Sequence, residues 1–344
     1  MGALTRNSAI TLDAVARQAG VSRATASRVF TSNPRVSDDA RRAVEQAAEK
    51  LGYVPNGAAR SLATGRSDSV GVVIPEPTGR LFADPFFPRL IRGINEVLTA
   101  QRLQLVLFAP QSSADEDRLE QYLAGRHVDA VLLVSLHGSD PLPGRLQERG
   151  IPVVVGGRPL ERSDLSFVDV DNQAGGRSAT EHLLGQGRRV VAHIAGPADM
   201  PAGRDRWFGY RAALERAGLD GDLVEHGDFG YQSGQAAMER LLARRPQLDA
   251  VFVASDLMAT GALRALSAAG RRVPDDVAVI AFDDSPIAGT TQPPLSSVRQ
   301  PIEEMGREMA RLVLRLAGAS HQVPRQVILG TELAIRASSA AGRR

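Results

Sequence analysis

The run Ser22-Arg23-Ala24-Thr25-Ala26-Ser27-Arg28 sets two guanidinium groups and three hydroxyls on what its neighbours make the first turns of a short helix. Arginine pairs bidentately with guanine edges and hydroxyls reach phosphate oxygens, so this set suits a helix that enters a major groove. The spacing predicts Arg23 and Ala24 where base edges would be met, Thr25 and Ser27 toward phosphates, and Arg28 one turn further on. Just before it, Ala16 to Ser22 join two helical patterns through a turn at Gly20, the geometry of a helix-turn-helix.

A second chemistry needs aromatic faces for a sugar ring and planar polar groups for its hydroxyls. Four stretches supply both at predicted strand ends or in loops: Asp205-Arg206-Trp207-Phe208-Gly209-Tyr210, Asp228-Phe229, Ser255-Asp256 and Phe282-Asp283-Asp284. A fifth, Leu81 to Phe87, adds Phe82, Asp84 and Phe86, and is expected to roof the same site and offer surface for a second ring. Arg158, beyond the Val153–Val155 run, completes the candidate set. Metal and covalent chemistry find no support. There is no cysteine, the six histidines (His127, His137, His182, His193, His226 and His321) lack ligand spacing, and neither a phosphate-binding glycine loop nor a GxSxG elbow is present. The expectation is therefore no metal, no cofactor and no enzymatic turnover.

The elements that must position these residues fall into two patterns. Helical periodicity predicts three N-terminal helices: Leu12 to Gln18 capped by Thr11, a second capped by Ser22 and running to about Phe30, and a third from Asp38 to Leu51 capped by Ser37 and stopped by Gly52. A short fourth segment, Gly57 to Ala63, precedes a polar linker. From Val70 onward, β-rich runs (Val70–Ile74, Gln104–Phe108, Val128–Val134, Val153–Val155, Val190–Ile194, Asp249–Ala254 and Val277–Phe282) alternate with helix-length segments. Such alternation implies parallel sheets with helices on both faces, and an internal echo between Val128–Val155 and Leu248–Ile280 suggests two lobes with a ligand cleft between them.

Charge divides the chain the same way. Ten of its 41 basic and five of its 39 acidic residues lie up to Arg66, so that segment carries +5 and the remainder −3. A positive module at one end is the electrostatic footprint of a nucleic-acid binder. No apolar run reaches the roughly 18 residues of a membrane span and no export signal is evident, so a cytoplasmic protein is expected.

From Thr11 to Ser69 the chain resembles the DNA-binding headpiece of the LacI-type (lactose and purine repressor) family. The resemblance rests on Leu12-Asp13-Ala14-Val15-Ala16, Ala19-Gly20-Val21-Ser22, Thr25-Ala26-Ser27-Arg28-Val29, Leu51-Gly52-Tyr53-Val54-Pro55-Asn56 and Ala59-Arg60-Ser61-Leu62-Ala63, and it continues to about Ser338. Ala26 departs from the commoner valine. The resemblance implies a cytoplasmic transcriptional regulator, a repressor of carbohydrate-utilisation genes, with a small all-α headpiece (1–55), a hinge helix and linker (56–68) and a two-lobed α/β periplasmic-binding-protein-like domain (69–338), followed by a tail (339–344). It implies DNA contacts by Thr11, Ser22, Arg23, Ala24, Thr25, Ser27, Arg28 and Asn56, with Leu62 wedged into the minor groove. For the effector it implies a hydrogen bond from Arg206, an aromatic stacker at Phe229 and an acid at Asp283. The long Leu81–Phe87 loop is similar to that of repressors responding to cellobiose and other β-glucosides.

The resemblance also places crossovers between the lobes near Phe167–Asp169, Ser296–Arg299 and Pro324–Gln326, giving an N-lobe of about 69–166 and 298–325 and a C-lobe of about 168–296 and 326–338. Partners expected are double-stranded palindromic operator DNA, a second copy of the chain on the other half-site, and a small sugar. A sugar-binding protein of a transport system would share the two lobes but lack the headpiece and carry an export signal.

Overall fold

The computed structural model describes residues 10–30, 35–54, 65–160, 164–319 and 323–340. The chain divides into two units at Asp68/Ser69. In the first, α1 (Leu12–Gln18) starts where Thr11 Oγ1 accepts the Ala14 amide at 3.3 Å. Gly20, at φ +66°, turns the chain into α2 (Arg23–Phe30), whose first amides are met by Ser22 Oγ accepting from Thr25 N at 3.1 Å. Ser37 caps α3 (Asp38–Leu51), and Gly52 ends it in the left-handed conformation. Val15, Ala26, Val29 and Val44 converge between the three helices. The expected fourth segment with Asn56 and Leu62 lies outside the described residues.

In the second unit the elements are β1 (Ser69–Val73), α4 (Thr78–Ala83), α5 (Phe86–Ala100), β2 (Gln104–Phe108), α6 (Ser113–Ala124), β3 (Ala130–Val134), α7 (Leu142–Glu148), β4 (Val153–Gly156) and β5 (Ser166–Val170). The chain continues as α8 (Asn172–Gly185), β6 (Val191–Ala195), α9 (Pro201–Arg216), β7 (Val224–His226), α10 (Tyr231–Arg244), β8 (Ala250–Val253), α11 (Asp256–Ala268) and β9 (Ala278–Asp283). It closes with α12 (Pro286–Thr290), β10 (Ser296–Arg299), α13 (Ile302–Ala317), β11 (Gln326–Leu329) and β12 (Glu332–Ala334).

Two six-stranded sheets result, ordered β2-β1-β3-β4-β5-β11 in the N-lobe and β7-β6-β8-β9-β10-β12 in the C-lobe. Every pairing is parallel except β10 with β12. Fully buried strands such as Ala130–Val134 are apolar on both faces because helices cover both. In each sheet the strand order reverses beside the first strand, between β1 and β3 and between β6 and β8, so the carboxyl ends of those strands open a crevice. Two of the expected crossings are corrected by a few residues, and the one near Ser296–Arg299 falls where expected. β5 and β11 stay paired in the N-lobe sheet and β10 in the C-lobe sheet, so the chain crosses after Val170, Arg299 and Leu329. Continued ladder bonding moves the first and third crossings, since a strand leaves its sheet only where its last backbone bond ends.

Helix α9, which carries Arg206, lies very close to α8. A Cβ on Gly176 would stand 2.4 Å from the Arg206 carbonyl oxygen, and one on Gly209 would stand 2.2 Å from that of Gln173. Only glycine allows that approach, which sets Arg206 beside the start of α8. Gly209→Ala should therefore lower the stability of the large domain by roughly 1–3 kcal/mol, read from the urea midpoint of its unfolding transition. An unchanged midpoint would show that the helices can part without cost.

Candidate functional site

On α2 the side chains of Arg23, Ala24 and Arg28 are exposed, Thr25 and Ser27 are half-buried, and Ala26 and Val29 face the core. Ser22 and Thr25 share a hydroxyl contact at 2.9 Å. Arg23 Nε stands 3.3 Å from Asp13 Oδ1 with 72% of its side chain exposed. An exposed pair of this kind is worth about 0–1 kcal/mol, so a stronger anionic partner can displace Asp13. The face thus presents the arginines and the small Ala24 outward, as a groove-reading helix requires.

The second site lies in the crevice between the lobes. Arg206 is buried, and its guanidinium carbon lies over the ring of Phe282, 3.7 Å from the centroid. Its Nε donates to Asn172 Oδ1 at 2.9 Å and its Nη1 to the Ala254 carbonyl at 2.6 Å, with Asp283 Oδ1 3.7 Å away. Gln300 Nε2 donates to Asp283 Oδ1 at 2.6 Å. Burial pushes the Asp283 carboxyl well above its ordinary value, with Arg206 opposing and Asp256 and Asp84 adding to the rise. From the N-lobe, Asp84 accepts the Phe86 amide at 2.9 Å, and burial raises its pKa against that bond and the charge of Arg80. These groups line a chamber of about 90 Å³ with Arg80, Phe86, Phe87, Phe229 and Ser255. Ser135, Phe229 and Asp283 all hold positive φ, at 61°, 67° and 109°. Such backbone costs on the order of 1–3 kcal/mol each and collects at functional sites.

Side chains also tie the lobes together here. Glu76, 3% exposed, accepts from Arg80 Nη1 at 2.7 Å, from Ser135 Oγ at 2.6 Å and from His137 Nε2 at 3.3 Å. His137 Nδ1 reaches Asp199 Oδ2 of the C-lobe at 2.9 Å, and the Gly138 amide donates to the Asp199 carbonyl at 2.9 Å. Arg80 crosses as well, with its guanidinium 5.3 Å from the centre of the Phe229 ring. Burial works against charge on Glu76, but bonds from His137 and Ser135 and the charge of Arg80 outweigh it and lower its pKa. The bond to Glu76 raises the His137 pKa most, partial burial opposes, and Asp199 adds to the rise.

Of the candidates, the structure brings Asp84, Phe86, Arg206, Phe229, Ser255 and Asp283 to one chamber. Arg158 lines an adjoining outer cavity. Two expectations are corrected. Phe82 is 75% exposed on α4 and borders neither cavity, because the short helix turns it outward while Leu81 takes the buried position. Asp256 is buried but faces the protein, accepting from Ser297 Oγ at 2.7 Å and from the Ser285 amide at 2.6 Å. Phe229 has a guanidinium over its ring on the Arg80 side and another, Arg206, at 5.6 Å, so it holds cations as well as lining the chamber. Sequence reading missed Arg80, Asn172, Gln300 and the Glu76–His137–Asp199 chain. Asn172 and Gln300 follow lobe crossings, where no periodicity marks them.

A family model described as "Bacterial regulatory proteins, lacI family" matches residues 11–56, and one described as "Periplasmic binding protein-like domain" matches residues 180–339. The HTH-type transcriptional regulator CelR of Thermobifida fusca is 51% identical over 333 residues, 95% of this chain and 98% of that protein. The HTH-type transcriptional repressor CytR of Escherichia coli (strain K12) is 33% identical over 347 residues, 99% of each chain. Among solved structures, a transcriptional regulator CelR–cellobiose complex matches with a TM-score of 0.77 at 49% identity, covering 96% of this chain and 99% of that one. The lac repressor dimer bound to operator and the anti-inducer ONPF matches with a TM-score of 0.85 at 24% identity, covering 97% and 100%, which is a likeness of fold.

Because both ring nitrogens of His137 face carboxylates, only the imidazolium can donate to both. Glu76 shares the lobe of His137 whereas Asp199 belongs to the other, so the contact with Asp199 is the one through which the proton acts between lobes. With the pKa raised above 6.5, the bridge is complete below that value and is lost as pH rises through the raised pKa. Protection of the Gly138 amide against hydrogen exchange, corrected for intrinsic rate, should fall across that window by about two- to fivefold, as expected for a half-exposed pair. In Asp199→Asn the fall should vanish. Persistence of the same pH dependence in Asp199→Asn would remove Asp199 from the bridge.

Proposed function

The chain belongs to the lacI family of bacterial regulatory proteins, and on that premise we propose that it is a cytoplasmic, dimeric repressor of carbohydrate-utilisation genes whose effector is a sugar, in particular a β-linked glucose disaccharide such as cellobiose. One observation carries the effector assignment: a buried arginine and two buried carboxyl groups, Asp84 and Asp283, meet aromatic faces within a two-lobed crevice. The likeness to a CelR–cellobiose complex supports the same reading. Arg206 Nη2 donates to ring hydroxyls, Asp283 and Asp84 accept from them, and Phe86 and Phe229 cover the ring's apolar faces. A chamber that sets guanidinium beside carboxyl groups offers both donors and acceptors, which favours a ligand rich in hydroxyls. No catalytic role is assigned to any residue.

On DNA, Arg23 and Arg28 read base edges while Ser22, Thr25, Ser27 and Thr11 position the headpiece on phosphates, and Asn56 and Leu62 contact DNA from the hinge. Two-fold symmetric half-sites require two copies, joined through the large domain. Sugar binding reaches DNA because Asp84 and Phe86 belong to one lobe and Arg206 and Asp283 to the other. A ligand touching both sets favours one lobe arrangement by its difference in affinity between the two.

Arg23→Ala should weaken operator binding by about 1–3 kcal/mol and leave cellobiose binding unchanged. Arg206→Ala should do the reverse, leaving operator affinity without sugar near normal and abolishing the response to cellobiose. Fluorescence-anisotropy titrations of an operator duplex with and without cellobiose test both. A wild-type response in Arg206→Ala would mean that the effector binds elsewhere.

A further inference from the structure

Asp283, the carboxyl group that the C-lobe presents to the chamber, stands on backbone that side-chain-bearing residues rarely adopt. It and Asp284 hold φ of 109° and 47°, two consecutive left-handed residues neither of which is glycine. Such a pair persists only where surrounding bonds over-determine it. Strand β9 ends at Asp283, opposite Arg299 of β10, so the amides that follow leave the regular ladder and need acceptors of their own.

Both acceptors trace to Asp256, the first residue of α11. Its Oδ2 accepts the Ser285 amide at 2.6 Å. Its Oδ1 accepts the Ser297 hydroxyl at 2.7 Å, and the oxygen of that hydroxyl in turn accepts the Asp284 amide at 3.0 Å. One buried carboxyl group, 1% exposed, thus holds the two successive amides immediately after Asp283. Other bonds fix the side chains of the turn: Arg299 Nε and Arg336 Nη2 donate to the Asp284 carboxylate at 2.7 and 2.6 Å, and Gln300 Nε2 donates to Asp283. The bonds to Asp256 fix the backbone from which those side chains project.

We propose that Asp256, acting through Ser297 and the Ser285 amide, is a positioning residue for the effector: it holds the strained turn that carries the Asp283 carboxyl into the chamber, and so sets sugar affinity without touching the sugar. Asp283 borders the chamber, whereas Asp256 does not. This inference rests on the sugar-effector reading above. A role confined to stability would serve α12, which starts at Pro286 beside Ser285 and borders no part of the chamber, and would leave sugar affinity unmoved.

A double-mutant cycle on the full-length protein tests the assignment, with cellobiose affinity read by calorimetry and sugar-free operator affinity by anisotropy, below each variant's unfolding midpoint. In Asp256→Asn the side-chain nitrogen cannot accept, so the Ser285 amide and the Ser297 hydroxyl cannot both donate to it. Ser297→Ala removes the acceptor of the Asp284 amide. Each should weaken cellobiose binding about five- to twentyfold while operator affinity stays within about twofold of wild type. In an Asp283→Ala background each should change cellobiose affinity by less than about twofold, because the group they aim is gone. Two variants guard against misfolding in one. Wild-type cellobiose affinity in both single variants, or losses that multiply undiminished with that of Asp283→Ala, overturns the positioning role alone. Cellobiose that fails to bind wild type, or that binds Asp283→Ala as tightly as wild type, overturns the sugar reading of the chamber and this inference with it.

Discussion

A carboxylate removed from water must be neutralised where it stands, and Glu76 at 3% exposure is the place where that requirement organises the crevice. It sits just past β1, beside the switch point of the N-lobe sheet, and its three donors are Arg80, Ser135 and His137. Two of these three are also the side chains that reach the other lobe, Arg80 to Phe229 and His137 to Asp199. The buried charge therefore fixes the orientation of the groups by which one lobe recognises the other. Exposed ion pairs elsewhere, such as Arg272 with Asp276 or Arg42 with Asp39, carry no such consequence because water competes for both partners.

The facing lobe solves the same problem with opposite sign. Arg206 is stripped of water by α8 and α9 and recovers its interactions from Asn172, Ala254, Asp283 and the face of Phe282. Breaking one partner of such a buried set leaves an uncompensated charge, which costs about 3–5 kcal/mol. On the proposed function the guanidinium is then a rigid donor held in place before a ligand arrives, and rigidity of this kind reduces the ordering cost of binding.

Much of this was legible in the amino-acid order. The headpiece helices follow from hydroxyl caps at Thr11, Ser22 and Ser37 and from Gly20 and Gly52, all local signals, and the expected ends coincide with α1, α2 and α3. The β-rich runs gave seven strands of the large unit, but β5, β7, β10, β11 and β12 were overlooked because short strands at crossings and edges lack a long apolar run. Arg206, Asp283 and Phe229 were found through resemblance, whereas Gln300, Asn172 and Glu76 are polar residues whose meaning comes from what the fold sets opposite them. Asp256 shows the converse. An acid after a strand end fits a ligand contact equally well in sequence, and only the positions of Ser285 and Ser297 reveal that it satisfies the protein instead.

On the proposed function, a crevice bridged by Arg80 and His137 and closing around a sugar, in a chain that also reads DNA, makes one thermodynamic demand: whatever factor the sugar exerts on operator affinity, the operator must exert on sugar affinity. The most direct test is the dissociation constant of cellobiose measured by calorimetry on free protein and on protein saturated with operator duplex. The account predicts a difference of about tenfold, within the usual range of such coupling, equal to the change cellobiose produces in operator affinity. Identical cellobiose affinities in the two states would show that lobes and headpiece are uncoupled, and would contradict it.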